Sequence, residues 1–372
     1  MNISYLDEKL RGHRQSLHQL AELSHNEFNT AKYIRDYLDK LGVEYEVYLE
    51  TATVGIIKGQ NPKKTIAFRA DIDALPSKNG AEHLCGHDGH MSILLGLIEY
   101  LVGNKEKLND NIVFVFQPAE EDTGGAKRLM EAGIFNKYNV DEVYGLHIHP
   151  DFQEGYIACR PGYLMAQNGE INIDIIGKGG HGAIPQNAID SILIASEFVT
   201  SLQSIISRNI NPIEGSVLTI GKISGGSVRN IIAESVRLEG TMRCFNPDVY
   251  DTMVNRIKKF ANGFEISYNC KVNVEVKDGY LAVNNDKELF NELVSAVGKE
   301  KIIETDPLMI SEDFSYYQKE VPGIFFMLGA RNEEKGFVNG LHNINFDFNE
   351  DILIEGLKIY EAILKYKNSI CS

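Results

Sequence analysis

Cysteine, histidine and carboxylate side chains gather at several short places in this sequence. The densest is His83-Leu84-Cys85-Gly86-His87-Asp88-Gly89-His90, which follows closely on Arg69-Ala70-Asp71-Ile72-Asp73-Ala74-Leu75-Pro76. Thiolate and imidazole are good ligands for first-row transition metals. Cys85 and His87 lie two apart, so an extended backbone turns both to one side. A helix beginning near Asp88 would point its positive end at them, which favours thiolate. Alone, Cys-x-His could be a chance grouping in a polar loop. Three histidines, one cysteine and one aspartate in eight residues make a metal site the stronger reading.

Gln117-Pro118-Ala119-Glu120-Glu121-Asp122 comes next. Adjacent carboxylates on a regular strand face opposite ways, so both reach one site only if Pro118 ends the strand. One glutamate would then bind metal and the other would take a proton from the attacking water. A solvated acidic turn is the alternative. Gly145-Leu146-His147-Ile148-His149-Pro150 offers two histidines on one face, a pair as often structural as ligating. Ser311-Glu312-Asp313-Phe314-Ser315 and Gly340-Leu341-His342-Asn343 complete the set. Loops at the carboxyl ends of strands in an open α/β sheet converge on one crevice, so ligands far apart in sequence can form one site. No Gly-x-Ser-x-Gly elbow or phosphate-binding loop is present, and Gly221–Ser227 does not fit a dinucleotide fingerprint.

The elements that must position these residues follow from the hydrophobic pattern. Helical spacing runs from Ser4 to Leu41 through Leu6, Leu10, Leu17, Leu20, Ile34 and Leu38, with Gly42 as a stop. Apolar runs at Val54–Ile57, Thr65–Phe68, Ile112–Phe116 and Val143–Ile148 read as strands. Helical segments lie between them at Ser92–Val102 and Ala126–Ala132. That alternation predicts an α/β domain with a mostly parallel central sheet flanked by helices. The middle of the chain reads differently: strand Glu170–Gly177, helix Ala188–Ser207, strands Val217–Ile223 and Ser235–Arg243, helix Asp248–Phe260, strand Lys271–Val276. This β-α-β-β-α-β order is that of a ferredoxin-like α+β unit. Helix Leu289–Val297, buried strand Ile324–Leu328 and helix Asp351–Tyr366 then resume the first pattern. The expected organisation is therefore a discontinuous catalytic domain, 1–165 and 280–372, with a smaller domain inserted at 166–279.

Composition excludes other classes. The chain has 372 residues, 43% hydrophobic and 24% charged, with 37 basic against 52 acidic side chains and a formal charge of −15. This is neither a disordered composition nor the basic one of a nucleic-acid binder. No apolar run is long enough to span a bilayer, and Asp7 and Glu8 stand where a signal peptide would be basic and then apolar, so a cytoplasmic enzyme is expected. Five cysteines, Cys85, Cys159, Cys244, Cys270 and Cys371, are too sparse for a disulfide framework.

Taken together, these segments resemble the metal-dependent amidohydrolases that include hippurate hydrolase, N-acyl-amino-acid amidohydrolases, plant auxin-conjugate hydrolases and N-acetyldiaminopimelate deacetylase. The resemblance runs from Leu17-His18-Gln19 to Leu341-His342, with at least six motifs in order. It implies two divalent ions per subunit (Mn, Zn, Co or Ni) held by Cys85, His87, Glu121, His147 and His342. Glu120 matches the general base, and Asp71 an acidic residue that orients a ligand histidine; His149 matches no ligand position. The inserted domain resembles the family's lid and dimerisation domain. There His181 matches a residue that reaches the substrate and helps hold the oxyanion, in relatives from the partner subunit, while Asn230 and Arg243 match further lid positions. An arginine there could grip a substrate carboxylate.

The resemblance thus implies a homodimer acting on a small N-acyl amino acid. Leu202–Asn209, Gly221–Gly226 and Asn230–Glu234 look most like the diaminopimelate-pathway deacetylases. This implies deacetylation of N-acetyl-L,L-diaminopimelate in lysine biosynthesis. The alternatives are a broader N-acyl-amino-acid or hippurate hydrolase, a dipeptidase, a non-catalytic metal-binding scaffold, and an enzyme using Cys85 as a thiol nucleophile. The chain departs from its relatives in two places. Only Ser77–Glu82 separates Pro76 from His83, a shorter connection than they carry, and Ala21 stands where they usually have proline.

Overall fold

The computed structural model describes residues 3–371. The N-terminal periodic stretch is two helices, α1 (Asp7–Gln19) and α2 (Phe28–Leu41), separated by an irregular segment. Leu10 and Leu17 of α1 and Ile34 and Leu38 of α2 are fully buried. Gly42 ends α2 in the left-handed conformation, φ 68°, which glycine adopts without a Cβ clash.

Eight strands form the central sheet: β1 (Tyr45–Tyr48), β2 (Ala52–Ile57), β3 (Thr65–Asp71), β4 (Asn111–Gln117), β5 (Glu142–Gln153), β6 (Ile157–Cys159), β7 (Ile302–Glu304) and β8 (Gly323–Arg331). Their spatial order is β1-β2-β4-β3-β5-β8-β6-β7. The four central strands, β4, β3, β5 and β8, run parallel. Each is an almost continuous buried run, as expected of strands covered on both faces. Helix α3 (His87–Gly103) is buried along nearly its whole length and begins five residues earlier than its apolar pattern suggests. Its polar first turn, His87 to His90, is buried, and the hydrophobic signal starts only after it. The connection between Pro76 and His83 is a two-stranded hairpin that pairs Leu75–Ser77 with Gly80–Glu82.

The chain divides into two compact units, the first running to Leu164 and resuming over Val283–Pro307 and from Asp313. The second spans Met165–Ala282 and also takes in Leu308–Glu312. The sequence pattern does not reveal this short return. It is tied by hydrogen bonds from Ala166 N–H to the Ile310 carbonyl and from Arg243 Nη1 to the Met309 carbonyl, at 2.8 and 2.7 Å. Within the second unit a four-stranded antiparallel sheet has the spatial order Ser216–Gly225, Ser235–Cys244, Gln167–Ile176, Lys271–Asp278. Helices Ser191–Asn209 and Pro247–Tyr268 cover it. Ile171, Ile173 and Ile175 alternate into its core, the ferredoxin-like arrangement that the element order implies. No helix among the described residues is long and apolar enough to cross a membrane.

Phe68 on β3 sits at the centre of the first core, with ring centroids 5.4 Å from Tyr144 and 4.6 Å from Tyr360. Phe68→Ala should destabilise the first unit by about 3–5 kcal/mol, read as a lowered denaturation midpoint.

Candidate metal centre

The segments that follow β3, β4 and β8, together with His147 on β5 itself, bring most of the singled-out residues together. Gly86, φ 82°, turns the chain between Cys85 and the first residue of α3, His87. The pair converges through this left-handed turn and the helix start, not through the extended backbone their spacing suggests. Cys85 Sγ lies 3.4 Å from His147 Nε2 and 3.4 Å from His342 Nε2. Glu121 Oε1 is 3.5 Å from His342 Nε2 and 3.8 Å from His87 Nε2. Donor atoms of Cys85, His87 and His147, of Cys85, Glu121 and His342, and of His87, Glu120 and Glu121 form three overlapping groups, each within 4.8 Å. His342 itself adopts φ 63°, and its backbone N–H is pinned to the Leu84 carbonyl at 2.8 Å.

The glutamate pair depends on a local turn. Pro118 follows the last residue of β4, and Ala119 then takes φ 56°, a left-handed conformation that costs a residue with a Cβ roughly 1–2 kcal/mol. The Ala119 carbonyl accepts the N–H groups of Gly124 and Gly125, each at 3.1 Å. A Cβ on Gly125 would lie 1.8 Å from the Pro118 carbonyl oxygen, so only glycine lets the turn close. Glu121 N–H donates to Asp73 Oδ2 at 3.0 Å.

The imidazoles are held in defined tautomers. His87 Nδ1–H donates to the Asp73 carbonyl at 2.9 Å and His147 Nδ1–H to the Ile148 carbonyl at 2.8 Å, so both rings turn Nε2 to the cluster, where neutral His147 presents a lone pair and His87 does so once it gives up its proton. His90 is fully committed: its Nε2 accepts the Ile148 N–H at 2.8 Å, and its Nδ1–H donates to Asp71 Oδ1 at 2.6 Å. Asp71 therefore orients His90 and lies 3.6 Å from His87 Nε2, whereas the partner of His87 Nδ1 is Asp73. Arg69, fully buried, donates to Asp71, Gln117 and Asp313 at 2.8, 2.8 and 3.0 Å. Sequence reading singled out neither Arg69, Asp73 nor His90 as a supporting residue. Only their places in the Arg69–Pro76 and His83–His90 segments signalled them.

These surroundings shape the charges. Burial works against ionised Asp71, but His87, Arg69 and His90 hold its carboxyl well below the usual range. Burial likewise opposes a charged His87, yet Asp71, Asp73 and Glu121 raise it to about 10. Burial, then Glu121 and Glu120, push the Cys85 thiol well up. Burial and His90 push His147 well down, leaving it neutral. His149 is buried, accepts the Asp151 N–H at 3.4 Å and stands outside the donor groups.

A cation is what this arrangement fits. His87 Nε2 and Glu121 Oε1 are buried with no hydrogen-bond partner among the described residues, an expensive state for polar atoms. The donors are sulfur, imidazole nitrogen and carboxylate oxygen, the mixed set that suits a first-row divalent metal.

His181, Asn230 and Arg243 belong to the second unit. His181 is exposed and pairs with Ile231 in a short ribbon, and Gly182 N–H donates to the Asn230 carbonyl at 2.9 Å, so these two residues are neighbours. Arg243 is half-buried, with Nη1 directed to the Met309 carbonyl and, at 3.4 Å, to Ser311 Oγ.

Residues 67–366 match the description of peptidase family M20/M25/M40. The chain belongs to this family. It is 42% identical over 336 residues to an N-acetyldiaminopimelate deacetylase of Listeria monocytogenes, covering 86% of this chain and 90% of the relative. It is 38% identical over 382 residues to one from Limosilactobacillus reuteri, covering 97% and 98%. Among solved structures it resembles the YXEP protein of Bacillus subtilis, a dinuclear metal-binding peptidase from the M20 family. That likeness has a TM-score of 0.84 and 28% identity, and covers 98% of this chain and 99% of the other. The M20 assignment makes this chain a hydrolase of a metal-binding family. Gly125→Ala should displace the Glu120–Glu121 turn, lower the melting temperature through its clash with the Pro118 carbonyl, and lower hydrolytic turnover by about a hundredfold, measured as steady-state kcat on the folded protein.

Proposed function

We propose that this M20 chain is a metal-dependent amide hydrolase that removes the acetyl group of N-acetyl-L,L-diaminopimelate, a step of lysine biosynthesis carried out in the cytoplasm. The observation that carries the reading is the near full-length identity to N-acetyldiaminopimelate deacetylases in a chain whose Cys, His and Glu side chains converge beside Glu120. Cys85, His87, Glu121, His147 and His342 would hold two divalent ions, drawn from Mn, Zn, Co or Ni. Bound there, such ions supply Lewis acidity, which activates an acyl carbonyl and acidifies water.

The protein's own groups do the rest. Glu120 takes the proton of the attacking water and returns it to the leaving amine. Asp73 and the Ile148 carbonyl fix which nitrogen of His87 and His147 faces the cluster, and Asp71 balances the charge of its neighbours. His181 would stabilise the developing oxyanion, and Asn230 and Arg243 would contact the amino-acid part of the substrate. A thiol nucleophile at Cys85 is disfavoured, since nucleophilic cysteines have lowered pKa values and this one is pushed up. Two copies would pair through the second unit, where Ile192, Leu193 and Ile223 are exposed. Light scattering should then return twice the 41.6 kDa chain mass.

Metal-stripped protein, reloaded with Mn, Co, Zn or Ni, should release amine from N-acetyl-L,L-diaminopimelate in preference to hippurate or a dipeptide. Preference for hippurate would keep the chemistry and discard the pathway, and no release with any metal would discard both. Glu120→Ala should abolish turnover while metal content stays near that of the parent, and equal loss of both would remove Glu120 from the role of base. With His87 held protonated up to about 10 and the Cys85 thiol pushed up, both give up protons to a cation. Affinity should therefore rise with pH, with about two protons released at pH 7, read by calorimetry in buffers of different ionisation enthalpy.

A further inference from the structure

Between α1 and α2 the chain reads Ser24-His25-Asn26-Glu27. Glu27 is fully buried and belongs neither to the donor groups nor to the mechanism above. Its Oε1 accepts the Ala119 N–H at 3.0 Å and the His25 N–H at 2.8 Å, and its Oε2 accepts the Thr51 hydroxyl at 2.9 Å. Burial pushes its pKa up, and Asp73 adds to this. Three donors directed at its two oxygens offset the cost of burying it.

Ala119 is the left-handed residue immediately before Glu120 and Glu121. A non-glycine residue stays in that conformation only when its surroundings over-determine it. Here the bracing comes from two sides. Glu27 holds the N–H of Ala119, and Asp73 holds the N–H of Glu121 while accepting the Ser24 hydroxyl at 2.7 Å. Both carboxylates that grip the turn are thus tied to the Ser24–Glu27 segment, nearly a hundred residues earlier in sequence.

We propose that Glu27 is a positioning residue of the active centre: by fixing the Ala119 N–H it holds the left-handed turn that aims Glu120 and Glu121 into the site. This rests on the reading above, in which Glu120 is the base and Glu121 a ligand. Glutamine can still accept the Ala119 N–H through its side-chain carbonyl, whereas alanine cannot. Glycine at 119 adopts positive φ without strain and needs less bracing.

The test compares wild type, Glu27→Ala, Glu27→Gln, and Glu27→Ala placed in an Ala119→Gly background. Three readouts are taken: amide hydrogen exchange over 117–125, Mn2+ affinity by calorimetry, and kcat and KM for N-acetyl-L,L-diaminopimelate. In Glu27→Ala, exchange over 117–125 should quicken by about tenfold or more while Ile112–Phe116 stays protected. Mn2+ affinity and kcat should each fall about tenfold, with a smaller change in KM. Glu27→Gln should retain most of all three. In the Ala119→Gly background the same loss should shrink by at least about threefold, the signature of coupling through the turn.

Unchanged exchange and Mn2+ affinity in Glu27→Ala would overturn the proposal. So would losses equally large in both backgrounds, which would assign Glu27 to general stability. Absence of turnover by the wild type would instead overturn the functional reading, with exchange and Mn2+ affinity still deciding the role of Glu27.

Discussion

Neighbouring carboxylates cannot serve one site from an extended strand, because successive side chains leave opposite faces. This chain escapes that constraint at a single residue, Ala119, whose φ of 56° reverses the backbone just past β4. The reversal depends on Pro118 ending the strand, on Gly125 leaving room for the Pro118 carbonyl, and on hydrogen bonds to the Ala119 and Glu121 amides. The cost of one strained dihedral is thereby offset by several contacts at once. The turn is the hinge on which the candidate metal centre depends.

Behind the donors lies a second layer of buried charge. Arg69, Asp71, Gln117 and Asp313 form one hydrogen-bonded group in the interior, with Gln117 Nε2 reaching both Asp313 oxygens at 3.0 and 2.8 Å. Buried charges are costly unless each finds a partner of opposite sign and its remaining hydrogen-bonding capacity is satisfied. Here the outlay serves orientation. Asp71 fixes His90, His90 fixes the Ile148 amide, and the Ile148 carbonyl fixes the tautomer of His147. A chain of that kind fixes the rotamer and tautomer of His90 and His147, which is how outer groups set the affinity of a metal site.

The two units are built differently. The first builds its site where parallel strands end, the place at which α/β sheets collect loops from distant parts of the chain. The second presents His181 on a short two-stranded ribbon and Asn230 in the turn that leads into it, both exposed and held by backbone hydrogen bonds rather than by burial. Groups on such a ribbon are less constrained than groups in a core.

Much of this was legible in the residues. Apolar runs and turn residues predicted an α/β domain and the β-α-β-β-α-β insertion, since burial on one or both faces imposes its period directly on the sequence. The clustering of Cys85, His87 and His90 and the pair Glu120–Glu121 announced metal chemistry, because few other tasks call for those side chains so close together. Tertiary structure alone decided the rest. The spacing of Cys85 and His87 suggested an extended backbone, but Gly86 and the start of α3 bring them together. Asp73, not Asp71, meets His87 Nδ1, and Glu27 reaches Ala119 from nearly a hundred residues earlier in the chain. Local pattern records which face a residue buries. It carries no record of which distant amide a buried carboxylate must satisfy, because that partner is set by how the finished strands and helices come to lie.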